Sequence, residues 1–161
     1  MNGFTTRAPK GLSSPLVPRA IRLMSRVHVR MFTLTGGRLG RWWRVGAGWR
    51  RPVPTLLLSH RGRTSGRWFT TPLLYLENGR DLVVVASQGG LATHPQWYRN
   101  LAADGRASVQ IGRDKREVMA HVTNDAERER LWPLLVELYP DFDQYQAWTV
   151  REIPVVVLSP R

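Results

Sequence analysis

The chain has 161 residues, 42% of them hydrophobic and seven of them tryptophan, enough to bury a core of its own. It contains no cysteine, which excludes disulfides, thiolate metal sites and cysteine nucleophiles and fits a reducing cytosol. The net charge of +12 belongs to one half: residues 1–76 carry fourteen Lys and Arg and no acid, while residues 77–161 set ten against twelve. Such asymmetry points to an anionic partner at the N-terminal half: a lipid surface, a nucleic acid, or a phosphorylated or carboxylated ligand. No apolar run approaches the roughly 20 residues of a spanning helix.

Residues 1–15, rich in Gly, Ser, Thr and Pro, read as a mobile arm. Residues 16–34 read as a basic amphipathic helix. At 100° per residue Arg19, Arg22, Arg26 and Arg30 fall within about 80°, with Val17, Ile21, Met24, Met31 and Phe32 expected opposite them. That helix is either a lid with a solvated arginine face, a peripheral membrane contact, or an import presequence. Residues 35–161 form the remaining domain, opening on a glycine-punctuated link, "TGGRLGRWWRVGAGWRRP". "VPTLLLS", "RWFTTPLLYL" and "DLVVVAS" read as strands, the last two joined through Asn78-Gly79. "HPQWYRNLAAD" reads as a helix capped by Thr93 or His94 with Pro95 in its first turn. "ASVQIG" and "REVMAHVT" make a hairpin around Arg113 and Asp114, "DAERERLWPLLVELY" a helix started by Asp125, and "IPVVVLS" a sixth strand. The fold class is α+β: a small, partly open antiparallel barrel of about six strands with packed helices.

His28, His60, His94 and His121 are far apart, with no partner at metal-ligand spacing. There is no Gly-x-Ser-x-Gly elbow, no Walker loop and no dinucleotide fingerprint. What remains are polar interruptions of strands. Arg61, Arg63 and Arg67 crowd one turn with Gly62, Thr64, Ser65 and Gly66, either as a solvated tip that discourages edge pairing or as a phosphate clamp. "VVVASQGG" ends a buried strand in small residues that leave amides free for an anion or a ring carbonyl. "PQWYRNL" sets Trp97 and Tyr98 beside Asn100 at a helix start. Singly each has a bland account in turn chemistry or core packing; together they resemble a cleft for a flat heterocycle with a phosphate-bearing tail.

"TGGRLG", "GRTSG", "TPL", "ASQGG", "PQWYRNL", "LYPDFDQYQAW" and "REIPVVVLSP", in this order, resemble the deazaflavin-dependent nitroreductase family of actinobacteria, which includes F420H2-dependent quinone reductases. The resemblance runs from about Met24 to Pro160. It implies a split β-barrel that binds coenzyme F420, with FMN as the second candidate. It implicates Arg63, Thr64 and Ser65 at the cofactor phosphate. Phe69, Thr70, Thr71, Pro72, Leu73, Leu74 and Tyr75 would run along the deazaflavin ring. Val85, Ala86, Ser87 and Gln88, with Gln96, Trp97, Tyr98, Arg99 and Asn100, would complete the pocket. The family usually has lysine, arginine and lysine where Thr64, Phe69 and Gln88 stand, so the positive field is weaker here.

The resemblance also places Tyr139, Phe142, Tyr145 and Trp148 on the substrate side, where packing on the barrel is the simpler account of the same residues. The expected function is hydride transfer from reduced F420 to a quinone or a nitroaromatic acceptor. Ser87, Tyr139 and Tyr145 would be the catalytic residues, with no metal and no nucleic acid involved. The basic helix would hold this cytoplasmic protein at an anionic membrane surface. The alternative is a non-catalytic F420 or flavin carrier at the same surface.

Overall fold

The computed structural model describes residues 8–12 and 14–161, so most of the expected N-terminal arm lies outside the described residues. Seven strands and four helices follow in the order α1 (Leu16–Thr35), β1 (Trp42–Trp43), β2 (Val53–Arg61), β3 (Trp68–Asn78), β4 (Asp81–Val85), α2 (Gln96–Ala103), β5 (Arg106–Ile111), β6 (Asp114–Val122), α3 (Asp125–Leu138), α4 (Asp141–Ala147) and β7 (Val155–Pro160). All pairings are antiparallel, in the order β1-β2-β3-β4-β7-β6-β5.

The barrel is closed rather than partly open, because β2 pairs on both edges: Leu57–His60 lie against β5 while Thr55–Arg61 lie against β3. A strand enclosed on both faces and both edges must be apolar nearly throughout, which is why "VPTLLLS" shows no alternation. The split lies in β3. Its first seven residues, Trp68–Leu74, pair with β2, and Tyr75–Asn78 change partner to β4. Pro72 sits in the stretch bonded to β2 alone, where a missing N–H costs least.

Two hairpin turns sit one residue from where the sequence put them. Gly79 (φ +65°) and Arg80 link β3 to β4, and Gly112 (φ +59°) and Arg113 link β5 to β6, with Asn78↔Asp81 and Ile111↔Asp114 as the closing pairs. Glycine takes the first central position because the backbone there requires positive φ. Two helix starts also move. Pro95 is itself the N-cap of α2, and Asn124 rather than Asp125 caps α3, closing a capping box with Glu127. The strand β1, two residues long and paired to Val53 and Pro54, carries no periodicity and was not foreseen.

The apolar residues separate into two layers. Leu56, Leu58, Tyr75, Leu82, Val84, Trp97, Leu101, Val109, Val118, Val156 and Leu158 form one cluster, which α2 joins through Trp97 and Leu101. Val53, Val83, Val85, Val155 and Val157 point to the other side of the same wall, where α3 and α4 cover them with Leu131, Leu135, Tyr139 and Phe142. Adjacent residues of β4 and β7 therefore feed opposite layers, as a two-residue period dictates.

Helix α1 packs on β3 through one buried residue, Phe32, and ends in a left-handed Gly36. Met24 and Met31, expected with Phe32 on the core side, are exposed. With Leu16, Leu23, Val27 and Leu34 they form a second, uncovered apolar stripe spanning about 100° directly beside the arginines. No helix among the described residues is long and apolar enough to cross a membrane.

One buried polar atom of the barrel wall, Thr55 Oγ1, has no hydrogen-bond partner. Replacing an unsatisfied hydroxyl by a methyl group of the same shape removes its desolvation penalty. Thr55→Val is expected to stabilise the fold by about 1 to 2 kcal/mol in urea unfolding.

Candidate functional site

The arginine turn between β2 and β3 is closed by two backbone bonds, Gly62 N–H to Arg67 O and Gly66 N–H to Gly62 O, both 2.8 Å. Arg61 braces it by donating from Nε to Gly66 O at 3.0 Å, and Ser65 Oγ accepts from Arg67 N–H at 3.3 Å. Among the described residues nothing accepts from the amides of Thr64 and Ser65. The tip is therefore a rigid turn with two free donors and exposed arginines on either side.

What holds this turn is buried. Asn100 Oδ1 accepts from both the backbone N–H and the guanidinium of Arg63, each at 3.2 Å, and Asn100 Nδ2 donates to His60 Nδ1 at 3.1 Å. With Nδ1 as acceptor, the His60 proton sits on Nε2, which donates to Thr71 Oγ1 at 3.3 Å. Asn100 and His60 are wholly enclosed. Burial pushes the His60 pKa down to about 4, which keeps the ring neutral and the relay intact. The result is a chain of polar contacts, Thr71–His60–Asn100–Arg63, tying α2 to both strands of the hairpin.

The loop after β4 supplies a second set of donors. Ser87 is right-handed (φ −72°, ψ −40°), while Gln88 (φ +47°), Gly89 (φ +62°) and Gly90 (φ +77°) have positive φ. A right-handed residue followed by a left-handed one forms a nest, a concavity of successive N–H groups suited to an anion or a carbonyl oxygen. Among the described residues no acceptor takes up the amides of Ser87, Gln88 or Gly89, and Ser87 Oγ makes no hydrogen bond. Gln88 Oε1 is buried without a partner. Such orphaned groups are rare in a finished fold and fit a site that completes its bonds with a ligand.

The sequence-predicted residues divide accordingly. Arg63, Thr64, Ser65, Ser87, Gln88 and Asn100 fall on these two donor sets or their support. Phe69, Thr70, Thr71 and Pro72 continue from the turn along β3, Thr70 bonded to Ser59 at 3.0 Å. Phe69 stacks on His60 (6.0 Å between ring centres, 21° between planes), and a Cβ added at Gly62 would lie 2.8 Å from its ring, so it roofs the relay. Leu73, Tyr75, Val85, Ala86 and Trp97 instead pack in the apolar layers, and Leu74 faces the α3 side. Tyr98 lies tilted against His94, 5.0 Å between ring centres, while Gln96 and Arg99 are exposed on α2.

Of the aromatic group, Tyr139 and Phe142 are core residues rather than cleft walls. Tyr139 donates to Val45 O at 3.3 Å, and its oxygen lies 3.4 Å from both Trp43 Nε1 and the Tyr145 hydroxyl. Burial raises the pKa of both tyrosines, so neither is a ready acid near neutrality. Tyr145 and Trp148 pack on Gly90, where an added Cβ would lie 3.0 Å from Tyr145 O and 3.3 Å from Trp148 Cβ. They are the members of the group next to the nest.

Residues missed by the sequence reading include His60, which was weighed only as a metal ligand, and Arg151, whose guanidinium bonds the far side of the nest loop. Two concavities, about 450 and 290 Å³, are lined by residues outside the two donor sets, one near Trp132 and one near His94, Tyr98 and Arg151, behind the nest loop.

The sequence pattern of the F420H(2)-dependent quinone reductase family matches residues 24–160. The chain belongs to that family. A Mycobacterium tuberculosis relative grouped with these reductases is 54% identical over 118 residues, 73% of this chain and 99% of its own. An F420H(2)-dependent quinone reductase of the same organism is 34% identical over 139 residues, 84% of this chain and 89% of its own. The solved structure of an F420-H2 dependent reductase superposes with a TM-score of 0.62 at 37% identity, over 66% of this chain and 94% of the other. As a family member the protein is an F420H2-dependent reductase with coenzyme F420 as its cofactor. Free amides in two places and exposed arginines beside the first of them suit that anionic, flat molecule.

The relay has a pH signature. An unfolded His60 titrates near its ordinary 6.5 and the folded one near 4, so between these values the unfolded chain binds the extra proton and stability falls as pH falls. The expected loss is on the order of 3 kcal/mol, complete by about pH 4. Urea unfolding from pH 7 to 4 should show this slope in the wild type and its loss in His60→Gln.

Proposed function

We propose that the protein reduces a quinone at a membrane surface, with Arg63, Thr64 and Ser65 holding the anionic tail of F420 and the Ser87–Gly89 amides holding an oxygen of its ring. The cofactor, when bound, supplies the hydride. The protein positions and polarises. The relay aims Arg63, the rigid turn offers its free amides without reorganisation, and the Ser87 hydroxyl is free to donate to an acceptor oxygen. Trp148, whose Cβ lies against Gly90, sets an aromatic side chain beside the nest, which suits a quinone better than a charged metabolite. Burial holds both tyrosine hydroxyls protonated, and the proton that completes reduction of the acceptor arrives from water or from tyrosine. The nest with its orphaned amides is the observation that carries this reading.

Titration with F420 and with FMN, followed by fluorescence, tests it directly. Tight F420 binding with menaquinone-dependent oxidation of F420H2 supports the proposal. Binding without turnover of a quinone or a nitroaromatic compound leaves the carrier, and failure to bind F420 sinks both. Because Thr64, Phe69 and Gln88 offer no cation, Arg63 bears more of the anion binding. Arg63→Ala is expected to cost about 1.5 to 3 kcal/mol in F420 affinity, the value of a hydrogen bond to a charged group.

The membrane part rests on α1. Its uncovered apolar stripe lies beside four arginines, the pattern of a helix resting in the headgroup region of an anionic bilayer. Removing the helix would also remove Phe32 from the core, so surface substitutions are the cleaner probe. Leu23→Glu with Val27→Glu should abolish sedimentation with anionic vesicles while leaving F420 binding unchanged. Undiminished sedimentation would leave α1 a covering helix with a solvated arginine face.

A further inference from the structure

Arg151 opens "REIPVVVLSP", just before the strand β7. It lies between α4 and β7 with its backbone fixed on both sides: its N–H reaches Thr149 Oγ1 at 3.4 Å, and its carbonyl accepts from Gln146 Nε2 at 2.9 Å. Gln146 is itself held, since its Oε1 accepts from Ile153 N–H at 2.9 Å and from Arg128 at 3.1 Å. From that anchor the half-buried guanidinium spreads over four acceptors. Nε donates to Leu91 O at 2.8 Å, Nη2 to Ala86 O at 3.1 Å and Ser87 O at 2.9 Å, and Nη1 to His94 Nδ1 at 3.2 Å.

The peptide bonds in this loop are trans, so each carbonyl and the amide that follows it point in opposite directions. By holding Ala86 O and Ser87 O, the guanidinium forces the amides of Ser87 and Gln88 to face away from it. These are two of the three amides of the nest. The same grip holds Gln88 at a positive φ, a conformation that a non-glycine residue adopts only when its surroundings impose it. It also leaves a positive charge directly behind the concavity.

We infer that Arg151 is a positioning residue for the cofactor loop: its fan of hydrogen bonds turns the Ser87 and Gln88 amides outward as a preformed receptor for the electron-rich carbonyl side of a bound ring. The inference rests on the proposed placement of F420, while its effect on the loop is readable without any cofactor.

The test compares wild type with Arg151→Ala and Arg151→Lys. In the free proteins, amide hydrogen exchange at Gly90 and Leu91, whose N–H groups bond back to Ser87 O and Gln88 O, should speed up in both variants. In F420 titrations both should bind roughly tenfold or more weakly, the loss of one or two charge-assisted bonds. Lysine keeps the charge but cannot span three carbonyls, and it serves as the folded comparison if the alanine variant proves unstable. Millimolar guanidinium should restore F420 affinity to Arg151→Ala, and methylammonium should not, a distinction that a merely structural role does not produce. Wild-type affinity and exchange in Arg151→Lys, or equal rescue by both cations, would overturn the inference. A wild type that binds no F420 would sink the functional reading instead, and exchange alone would then decide whether Arg151 orders the loop.

Discussion

The hydrogen bond from Asn100 Nδ2 to His60 Nδ1 joins a strand of the closed barrel to the helix beside it, and the cleft depends on it in two ways. It fixes which end of the Asn100 amide faces the turn, so that the oxygen, not the nitrogen, meets Arg63. It also fixes the histidine tautomer, and thereby the donor offered to Thr71 on β3. A neutral ring is required for both, and burial ensures it. Polar atoms this deep are costly to leave unbonded, so the fully bonded relay favours one arrangement of the turn over others.

Much of this architecture was legible in the sequence. Six barrel strands stand out as β-branched or leucine-rich runs between glycines, and the α3 and α2 regions stand out by composition. The misses share a physical cause. An Asn-Gly pair announces a tight turn but does not say which residue takes positive φ, and the turns at Gly79 and Gly112 slipped by one. Helix α1 has two apolar arcs, and only docking on β3 decides that Phe32 is buried while Met24 and Met31 are not. Closure by β2 and β5 is a tertiary event with no local signal.

The site was legible as a set of segments and much less as a set of roles. Arg63, Ser65 and Ser87 stood out as candidates because polar groups interrupting strands need a reason. His60 and Arg151 could not, because their partners lie 40 and 65 residues away and each residue alone has an ordinary account. Tyr139 shows the opposite error. A tyrosine at the end of a helix looks available, yet its hydroxyl is spent on Val45 O inside the α3 layer.

The departures at Thr64, Phe69 and Gln88 take on a different sense in this geometry. A flexible lysine would bring a full charge but lose rotamer freedom on binding an anion, whereas a backbone amide held by its own fold loses none. Phe69 adds nothing to the field, but by covering Gly62 and stacking on His60 it shields the relay from water, where each buried hydrogen bond is stronger. Preorganised dipoles then do part of what mobile cations would do elsewhere. The orientation of each donor set is fixed by a group behind it: Asn100 behind the arginine turn and Arg151 behind the nest. A receptor built as proposed would discriminate by the position of acceptor atoms more than by net charge. That favours a rigid ring with a carbonyl at a set distance from an anionic tail over a free phosphate or a flexible polyanion.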